Sequence, residues 1–405
     1  MKSTTRLGLA TLLLAGGAHL AAQDAPQVSG LLQAWYTQML DSSLRTNAKP
    51  AIGGYYNLRT EFQENSFNIR RTEIKVAGKI MDGITFEVMA DPSIGTGSSN
   101  ILQDAVIKYT PAPGLEFRIG QFKNQQTFEG IQSSSELIFA ERSQMGRVYG
   151  DVRDRGVALS YSFGDPKAFG AKLTAGAFNG AGKVTDANAQ KDFVLRLDLN
   201  LGTEHKFGLY TLQGSTDQAD KGKLTALVLA GASAPTAAQV LDNKDKTTNL
   251  GAYYVFQSGA WHFDAEAITG ALGRRNSTLG QAAGNAAREH LDQKFFGAFA
   301  TAAYTTGAHS FALRYDLLNY NKGDDWYTAY NPYTTNAAGP LGADFSPRYT
   351  EITAGYTYAF NPKKVKAANI KLNYIARSKN FLKPSGAQTG EQGGDTLMAA
   401  FQVAF

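Results

Sequence analysis

Charged side chains recur at alternate positions in several stretches of this sequence, a spacing that can select ions by their charge. Arg71, Glu73 and Lys75 are separated by single uncharged residues, and Arg196 and Arg314 hold equivalent positions in FVLRLDLNL and FALRYDLL. In an extended strand such residues share one face, and the residues between them share the other. Because the intervening residues are largely apolar, we expect the charged face to line a polar space in which arginine and lysine attract anions.

The same alternation predicts which basic side chains point into that space. Charges are costly against lipid and tolerable in water, so the charged face of each strand is predicted to be the interior one. The alternation puts Arg71 inside and its neighbour Arg70 on the outer face, unless a bulge reorients Arg70. The basic residues predicted to line the interior are Arg71, Lys75, Lys108, Arg118, Arg196 and Arg314.

A long segment at 123–154, KNQQTFEGIQSSSELIFAERSQMGRVYGDVRD, carries a second set of charges. It contains the apolar run Leu137, Ile138 and Phe139, and the strand after it, RGVALSYSF, presents small residues to the interior. We therefore expect the segment to fold inward and narrow the interior, with the apolar run packed on the wall; the alternative is an external loop over the mouth. The charged residues expected near this constriction are Lys123, Glu136, Glu141, Arg142, Arg147, Arg153 and Arg155.

The elements that must position these side chains are strands. About sixteen extended segments of roughly ten residues alternate in the way that membrane-spanning strands do. The last segment, TLMAAFQVAF, places Leu397, Phe401 and Phe405 on one face. An apolar face at a chain terminus is typical of a strand that meets lipid and closes a barrel, because termini in water usually fray.

The connections alternate between short turns, such as 81–82 and 306–307, and long polar segments, such as 216–246 and 320–347. Short turns at one rim and long loops at the other are typical of outer-membrane barrels, and an even strand count puts both termini at the periplasmic rim. A soluble all-β fold is the alternative, but it has no reason for this alternation. We predict an all-β transmembrane antiparallel barrel over residues 24–405, closed because lipid leaves no partner for an open edge and wide enough for a water-filled channel.

The start of the chain predicts export. Lys2 and Arg6 precede the apolar run LGLATLLLAGG. Small residues follow it near Ala22 and Gln23, as in a secretory signal peptide. We predict that residues 1–23 are removed and that the mature chain reaches the bacterial outer membrane. The chain has no cysteine, so its fold needs no disulfide scaffold. The mature chain keeps 38 of the 40 basic residues against 35 acidic ones, a balance that argues against nucleic-acid binding.

Enzyme and metal chemistry find little support in the sequence. The predicted mature chain has four histidines, none of them within a Gly-flanked nucleophile motif or a metal-binding spacing such as H-x-x-x-H; they are His205, His262, His290 and His309. We predict no catalytic residues, no bound metal and no cofactor.

Several blocks of the sequence resemble a known family. FNIRRTEIKVAGKI, then FEVMADPS, ILQDAVIKY, GLEFRIGQFK and QSSSELIFAERS resemble the phosphate-selective porin O and P family over about 66–163. The resemblance implies a sixteen-stranded, trimeric outer-membrane channel that passes anions, in which the paired Arg70 and Arg71 help to line the anion path. The phosphate-specific members resemble one another in an arginine-rich fifth loop, whereas 216–246 here holds lysines and no arginine. Since arginine binds phosphate bidentately and lysine only as a point charge, this departure weakens the expectation of phosphate specificity.

The predicted function is passive diffusion of small hydrophilic solutes through an outer-membrane channel that prefers anions, such as phosphate or similar oxyanions. The predicted partners are outer-membrane lipid, these solutes and further copies of the chain in a homotrimer, with no nucleic acid. The alternative is an outer-membrane barrel without a transport role, used for adhesion, surface binding or hydrolysis. The two hypotheses differ in whether ions flow through the lumen.

Overall fold

The computed structural model describes residues 25–40, 65–93, 101–186, 190–215, 246–272, 293–319, 322, 348–377 and 395–405. The predicted signal peptide lies outside the described residues, as does nearly all of the lysine-containing segment at 216–246. The predicted domain limits, 1–23 and 24–405, therefore stay predictions.

Within the described residues, sixteen antiparallel strands form one closed barrel, which confirms the predicted fold class. Each strand pairs with its neighbours along the chain, and the last strand pairs with the first. The strands are β1 Gln27–Met39, β2 Ser66–Met81, β3 Ile84–Ala90, β4 Leu102–Ala112, β5 Leu115–Lys123, β6 Arg153–Gly164, β7 Phe169–Phe178, β8 Asp192–Leu201, β9 His205–Ser215, β10 Lys246–Ser258, β11 Trp261–Leu272, β12 Gln293–Thr306, β13 His309–Asn319, β14 Arg348–Ala359, β15 Ala368–Arg377 and β16 Thr396–Ala404.

The two faces of each strand differ as the alternation predicts. In β8, Phe193 and Leu195 are exposed on the outer face, whereas Arg196 is buried on the inner one. In β13, Leu313 is exposed on the outside and Arg314 is buried inside. The outer surface is therefore apolar and suited to lipid, and the interior is polar. None of the helices within the described residues has the length and apolar character needed to cross a membrane.

The seam between β1 and β16 closes the barrel. Leu31 pairs with Ala404, and beyond that pair Gly30 and Phe405 exchange backbone hydrogen bonds of 2.9 and 3.1 Å. The Phe405 ring packs directly over Gly30, where an added Cβ would lie 2.5 Å from the ring. The predicted pairing of the last strand with the first is confirmed.

A bulge in β2 changes the orientation of Arg70. Gln33 pairs with Arg71 and Ala34 pairs with Ile69, so Arg70 is an extra residue without a partner on β1. A bulge breaks the strict alternation of side chains, and Arg70 turns inward to contact Glu141. The expectation that Arg70 lies on the outer face is therefore wrong, because it assumed an unbroken period of two.

Replacement of Gly120 in β5 is expected to destabilise the barrel. Its φ is +133°, and a Cβ would lie 2.0 Å from the backbone oxygen of Ala105 on β4. We expect Gly120→Ala to cost about 3 kcal/mol of unfolding free energy or more, because strained backbone and overpacking add. Gly202→Ala is the matched control, since Gly202 also has a positive φ but has nothing within 4 Å of its Cβ position. Equal heat-induced unfolding midpoints of the two variants in detergent would contradict the prediction.

Candidate functional site

The chain between β5 and β6 forms a folded unit, here named the inserted segment (residues 124–152). It contains helix α1 (Phe128–Ile131), a 3₁₀ turn (Ser134–Glu136) and helix α2 (Gln144–Tyr149). Each begins with a side-chain cap: the hydroxyl oxygens of Thr127, Ser133 and Ser143 accept hydrogen bonds from backbone N–H groups within the first turn. Such caps satisfy donors that short helices would otherwise leave open, so the segment has a defined shape.

The inserted segment is fastened to the inner wall of the barrel. On β11, the carboxylate of Glu266 accepts hydrogen bonds from the backbone N–H groups of Phe128 (2.5 Å) and Glu129 (3.0 Å), at the start of α1. On β13, Asp316 accepts a hydrogen bond from the backbone of Gln144 at the start of α2. These carboxylates lie at the positive ends of the two helices, so the barrel wall caps the segment from outside.

The middle of the segment reaches β1, β15, β16 and the rim that carries the short turns. Gln33 on β1 donates to the carbonyl oxygen of Ser134 at 3.4 Å, and Asn373 on β15 accepts a hydrogen bond from the backbone N–H of Ala140 at 2.8 Å. Gln402 donates to the carbonyl oxygen of Ser135 at 3.1 Å, and Glu136 forms an ion pair with Lys366 in the short turn between β14 and β15. The segment therefore lies inside the barrel rather than over its mouth.

The apolar run packs against the wall as its composition predicts. Leu137 and Phe139 are buried, and Ile138 is half-buried. Phe139 lies against Gly355 on β14, where an added Cβ would be 2.8 Å from the ring. The guanidinium of Arg314 lies over the same ring, 4.7 Å from its centroid. A bulky residue at position 355 would displace this contact.

Arg142 is the central cation of the inserted segment. Its side chain is fully buried and donates to the carbonyl oxygens of Glu129 (3.1 Å) and Gln132 (2.7 Å) and to the carboxylate of Asp151 (2.9 Å). Lys123 also contacts Asp151 at 2.8 Å. Burial alone raises the pKa of Asp151, but Arg142, Lys123 and Arg153 outweigh burial and hold that pKa well below its ordinary value. Asp151 is therefore ionised and binds the two ends of the segment together.

Two other residues predicted near the constriction, Arg153 and Arg155, lie in different surroundings. Arg153 contacts Asp104 on β4 at 3.0 Å and Asp151 at 3.5 Å, so it belongs to the same charged cluster as Arg142 and Lys123. Arg155 does not: it donates to the carbonyl oxygens of Lys183 (2.7 Å) and Val184 (3.4 Å) and to Gln121. The expectation that Arg155 lies at the constriction is wrong, because the backbone of the segment between β7 and β8 supplies its partners.

The paired arginines of β2 converge on one carboxylate of the inserted segment. Arg70 lies 2.5 Å and Arg71 lies 3.1 Å from the oxygens of Glu141. Arg71 and Glu141 are each only 6% exposed, whereas Arg70 is 30% exposed. The positive charge of the pair is thus partly neutralised by the segment itself.

A second buried cluster contains Arg314 on β13, Arg377 on β15 and Arg147 of α2. Arg314 lies 3.5 Å from Glu129 and 3.6 Å from Glu351, and Arg377 lies 3.2 Å from Glu351. In α2, burial lowers the pKa of Arg147, while the charge of Glu351 opposes that change. Arg314 joins Glu129 of the segment to β13, and Gln144 of α2 donates to Glu351 on β14 at 3.0 Å, so this cluster holds the segment to β13 and β14.

Arg196 on β8 is also engaged by neighbouring groups. It contacts Asp198 at 2.7 Å and donates to the carbonyl oxygen of Gln126 at 2.6 Å. Its guanidinium lies over the ring of Tyr253, 5.1 Å from the centroid, and that ring stacks on Phe128 of the segment at 4.5 Å. Arg196 therefore contacts the inserted segment and is not an isolated charge in the lumen.

A set of basic residues on β2, β4, β5 and β7 is more exposed than the buried arginines that contact the inserted segment. The basic wall, as we name it, consists of the inward-facing side chains of Lys75, Lys108, Arg118 and Lys172 on β2, β4, β5 and β7. Lys75, Lys108 and Arg118 are 40%, 27% and 22% exposed. Among the described residues, the contacts between the inserted segment and the barrel, including those of Lys123 and Arg153 at its two ends, involve none of these four side chains. The basic wall therefore borders the part of the lumen that the segment leaves open.

Two acidic residues stand among the four basic ones of this wall. Glu87 lies 3.2 Å from Lys108 and 3.9 Å from Lys75, and Glu116 lies 2.7 Å from Arg118. Lys108 and Arg118 are directly paired across two strands, an arrangement of like charges that is unfavourable without such counterions. The wall nevertheless keeps an excess of positive charge.

Sequence reasoning missed Lys172 and the side chains that anchor the inserted segment. The run AKLTAGAF alternates, so Lys172 could have been placed inside by its position next to the outward-facing Leu173. The alternation of their strands predicts that Glu266 and Asn373 face inward, but nothing in the sequence indicates their anchoring contacts, because their partners are backbone groups distant in the sequence.

A closed sixteen-strand barrel with an apolar exterior, a polar interior and a folded segment inside defines the porin class of outer-membrane channel proteins. A model of the family described as phosphate-selective porin O and P matches residues 51–405. The chain belongs to this family, as the resemblance of its first strands predicts.

Solved structures share the fold. An anion-selective porin from Comamonas acidovorans is similar with a TM-score of 0.54 and 10% identity, over 95% of this chain and 100% of that one. The outer-membrane protein OmpT of Vibrio cholerae, in a trimer form, gives a TM-score of 0.52 and 11% identity, over 94% and 100%. OmpF of Salmonella typhi, in complex with daunomycin, gives 0.53 and 12%, over 94% and 97%. A comparison with curated proteins finds no match.

Proposed function

We propose that this porin is a passive diffusion channel for small hydrophilic solutes with a preference for anions, and that anions follow the basic wall. The observation that carries the proposal is the excess of base on that wall: its four cations stand beside the carboxylates of Glu87 and Glu116, while Asp198 of β8, which is paired with Lys172, is itself bound by Arg196. A charged lining at a narrow point selects ions by sign.

The charges of the inserted segment contribute less to this selection. Its cations are engaged by carboxylates and carbonyl oxygens at short distances, as Arg142 is with Asp151 and Gln132. A buried and neutralised pair produces little field in the lumen, whereas a part-exposed lysine such as Lys75 attracts mobile anions directly. The segment therefore narrows the passage, and the basic wall supplies the sign of its selectivity.

We propose that phosphate and similar oxyanions are among the solutes and that they pass through the channel as hydrated anions. Three of the four cations of the basic wall are lysines, which act as point charges rather than as bidentate forks. We therefore propose diffusion without a tight phosphate site along this wall. The proposal includes export by the predicted signal peptide, a homotrimer, and no catalytic role; the trimeric form of the Vibrio cholerae protein supports the oligomer.

Reversal-potential measurement in a planar bilayer tests the proposal. With potassium chloride at different concentrations on the two sides, we expect steady conductance and a reversal potential displaced toward the equilibrium potential of chloride. Displacement toward that of potassium would contradict the anion preference. A purified, folded barrel that gives no conductance would favour the non-transport alternative.

A further inference from the structure

The carboxylate of Glu141 sits among donors that match those used to bind a tetrahedral oxyanion. Arg70 donates to one carboxylate oxygen through Nε (2.9 Å) and Nη2 (2.5 Å), and Arg71 donates to the other through Nη2 (3.1 Å). The backbone N–H of Arg142 donates to the same oxygen as Arg71, at 3.0 Å. Two guanidinium groups and a backbone N–H that converge on one anion form an arrangement well suited to phosphate or sulfate.

Groups other than Glu141 hold these donors in place. Arg71 donates through Nη1 to Gln33 at 2.7 Å, and Gln33 in turn donates to Gln402 at 2.8 Å. The guanidinium of Arg70 lies over the ring of Trp35, 5.3 Å from the centroid. The two arginines therefore keep their orientation when the carboxylate between them is removed, which is a requirement for a preformed binding site.

The site is reached from the lumen on the side of Arg70. The side chain of Arg70 is 30% exposed, whereas those of Arg71 and Glu141 are nearly buried. Burial raises the pKa of Glu141, but Arg70, Arg71 and Arg142 outweigh burial and hold that pKa well below its ordinary value. Glu141 is therefore an anion at neutral pH, and it occupies the place that a solute anion would take.

We propose that Glu141 is an internal competitor that fills an oxyanion-binding site on the channel wall and thereby prevents phosphate from binding there. The inference rests on the proposed function, because the site opens onto the same anion path. Glu141 is then a specificity-determining residue. Because its carboxylate already binds Arg70 and Arg71, anions in the lumen pass these arginines without being bound by them.

The test is block of chloride current by inorganic phosphate in Glu141→Ala channels. Alanine removes both the charge and the atoms that fill the site, so both guanidinium groups become available to phosphate. We expect the half-blocking phosphate concentration to fall about tenfold or more relative to the native channel, as expected for charge-assisted hydrogen bonds. Glu87→Ala is the matched control: it removes the same side chain from beside the basic wall, and we expect no comparable fall.

A second variant keeps the proposal testable if Glu141→Ala fails to insert. Glu141→Asp keeps the charge and shortens its reach, so its half-blocking concentration is expected to lie between those of the native and Glu141→Ala channels. Block as weak as in the native channel, in whichever of the two variants inserts, overturns the proposal. Cation preference or absent conductance of the native channel without phosphate would instead overturn the proposed function, so the two failures are distinguishable.

Discussion

A channel that carries Lys108→Glu and Arg118→Glu together is expected to change from anion to cation preference. The two residues are paired directly across β4 and β5, and each is part-exposed on the inner face. Their inversion turns a wall of four cations and two carboxylates into one of two cations and four carboxylates. Because charges within a Debye length of about 8 Å at physiological salt are only partly screened, the sign of this wall acts on every ion that passes close to it.

The measurement is the reversal potential in a salt gradient, which should change sign in the double variant. Both side chains have access to lumenal water, so the new carboxylates remain solvated and the barrel is expected to fold. The matched control is Lys363→Glu with Lys364→Glu, which makes the same change of net charge in the exposed turn between β14 and β15. If the control moves the reversal potential as far as the wall variant does, selectivity does not reside at Lys108 and Arg118.

The fold and the basic wall were largely predictable because both follow from a period of two. Once the apolar face of a strand is assigned to lipid, the opposite face is fixed, and Lys108, Arg118 and Arg314 fall inside without further information. The register of a membrane barrel is strongly specified in this way, since a slip of one residue would bring charges into the lipid. Strand order followed from the short turns, which join neighbours only.

The details of the site depend on contacts that no periodic pattern encodes. Arg70 turns inward at a bulge, and a bulge depends on the pairing of β1 with β2 rather than on local sequence. Glu141 and Arg71 are 70 positions apart in the sequence, and their contact requires the inserted segment to be docked. A list of charges near a constriction therefore says little about which charges remain available to solutes.

That distinction changes how the family's paired arginines are interpreted in this chain. Sequence resemblance implies that Arg70 and Arg71 serve passing anions, whereas the structure places both against Glu141. The exposed positive charge lies instead on β2, β4 and β5, at Lys75, Lys108 and Arg118. We infer that the same arginine pair can either bind a solute or hold the inserted segment, depending on whether a carboxylate of the chain reaches it.

The inserted segment is expected to detach from its folded form when Arg142 is replaced by alanine. The arginine side chain joins α1, the turn after it and Asp151, so its loss removes the donor to the carbonyl oxygen of Glu129 and leaves Asp151 with Lys123 and Arg153 alone. The loss of three hydrogen bonds from a fully buried guanidinium costs about 3 kcal/mol, enough to populate undocked forms of the segment without unfolding the barrel.

Single-channel recording of Arg142→Ala should show a larger and noisier conductance, because a segment that leaves the wall no longer narrows the lumen in a fixed way. Limited proteolysis should cut within residues 124–152 faster than in the native protein. Arg155→Ala is the matched control, since it removes the same side chain from the rim, where its partners are Gln121 and the carbonyl oxygens of Lys183 and Val184. Native conductance in Arg142→Ala would mean that the anchors on β11, β13 and β15 hold the segment by themselves, and that its buried charges serve only its internal shape.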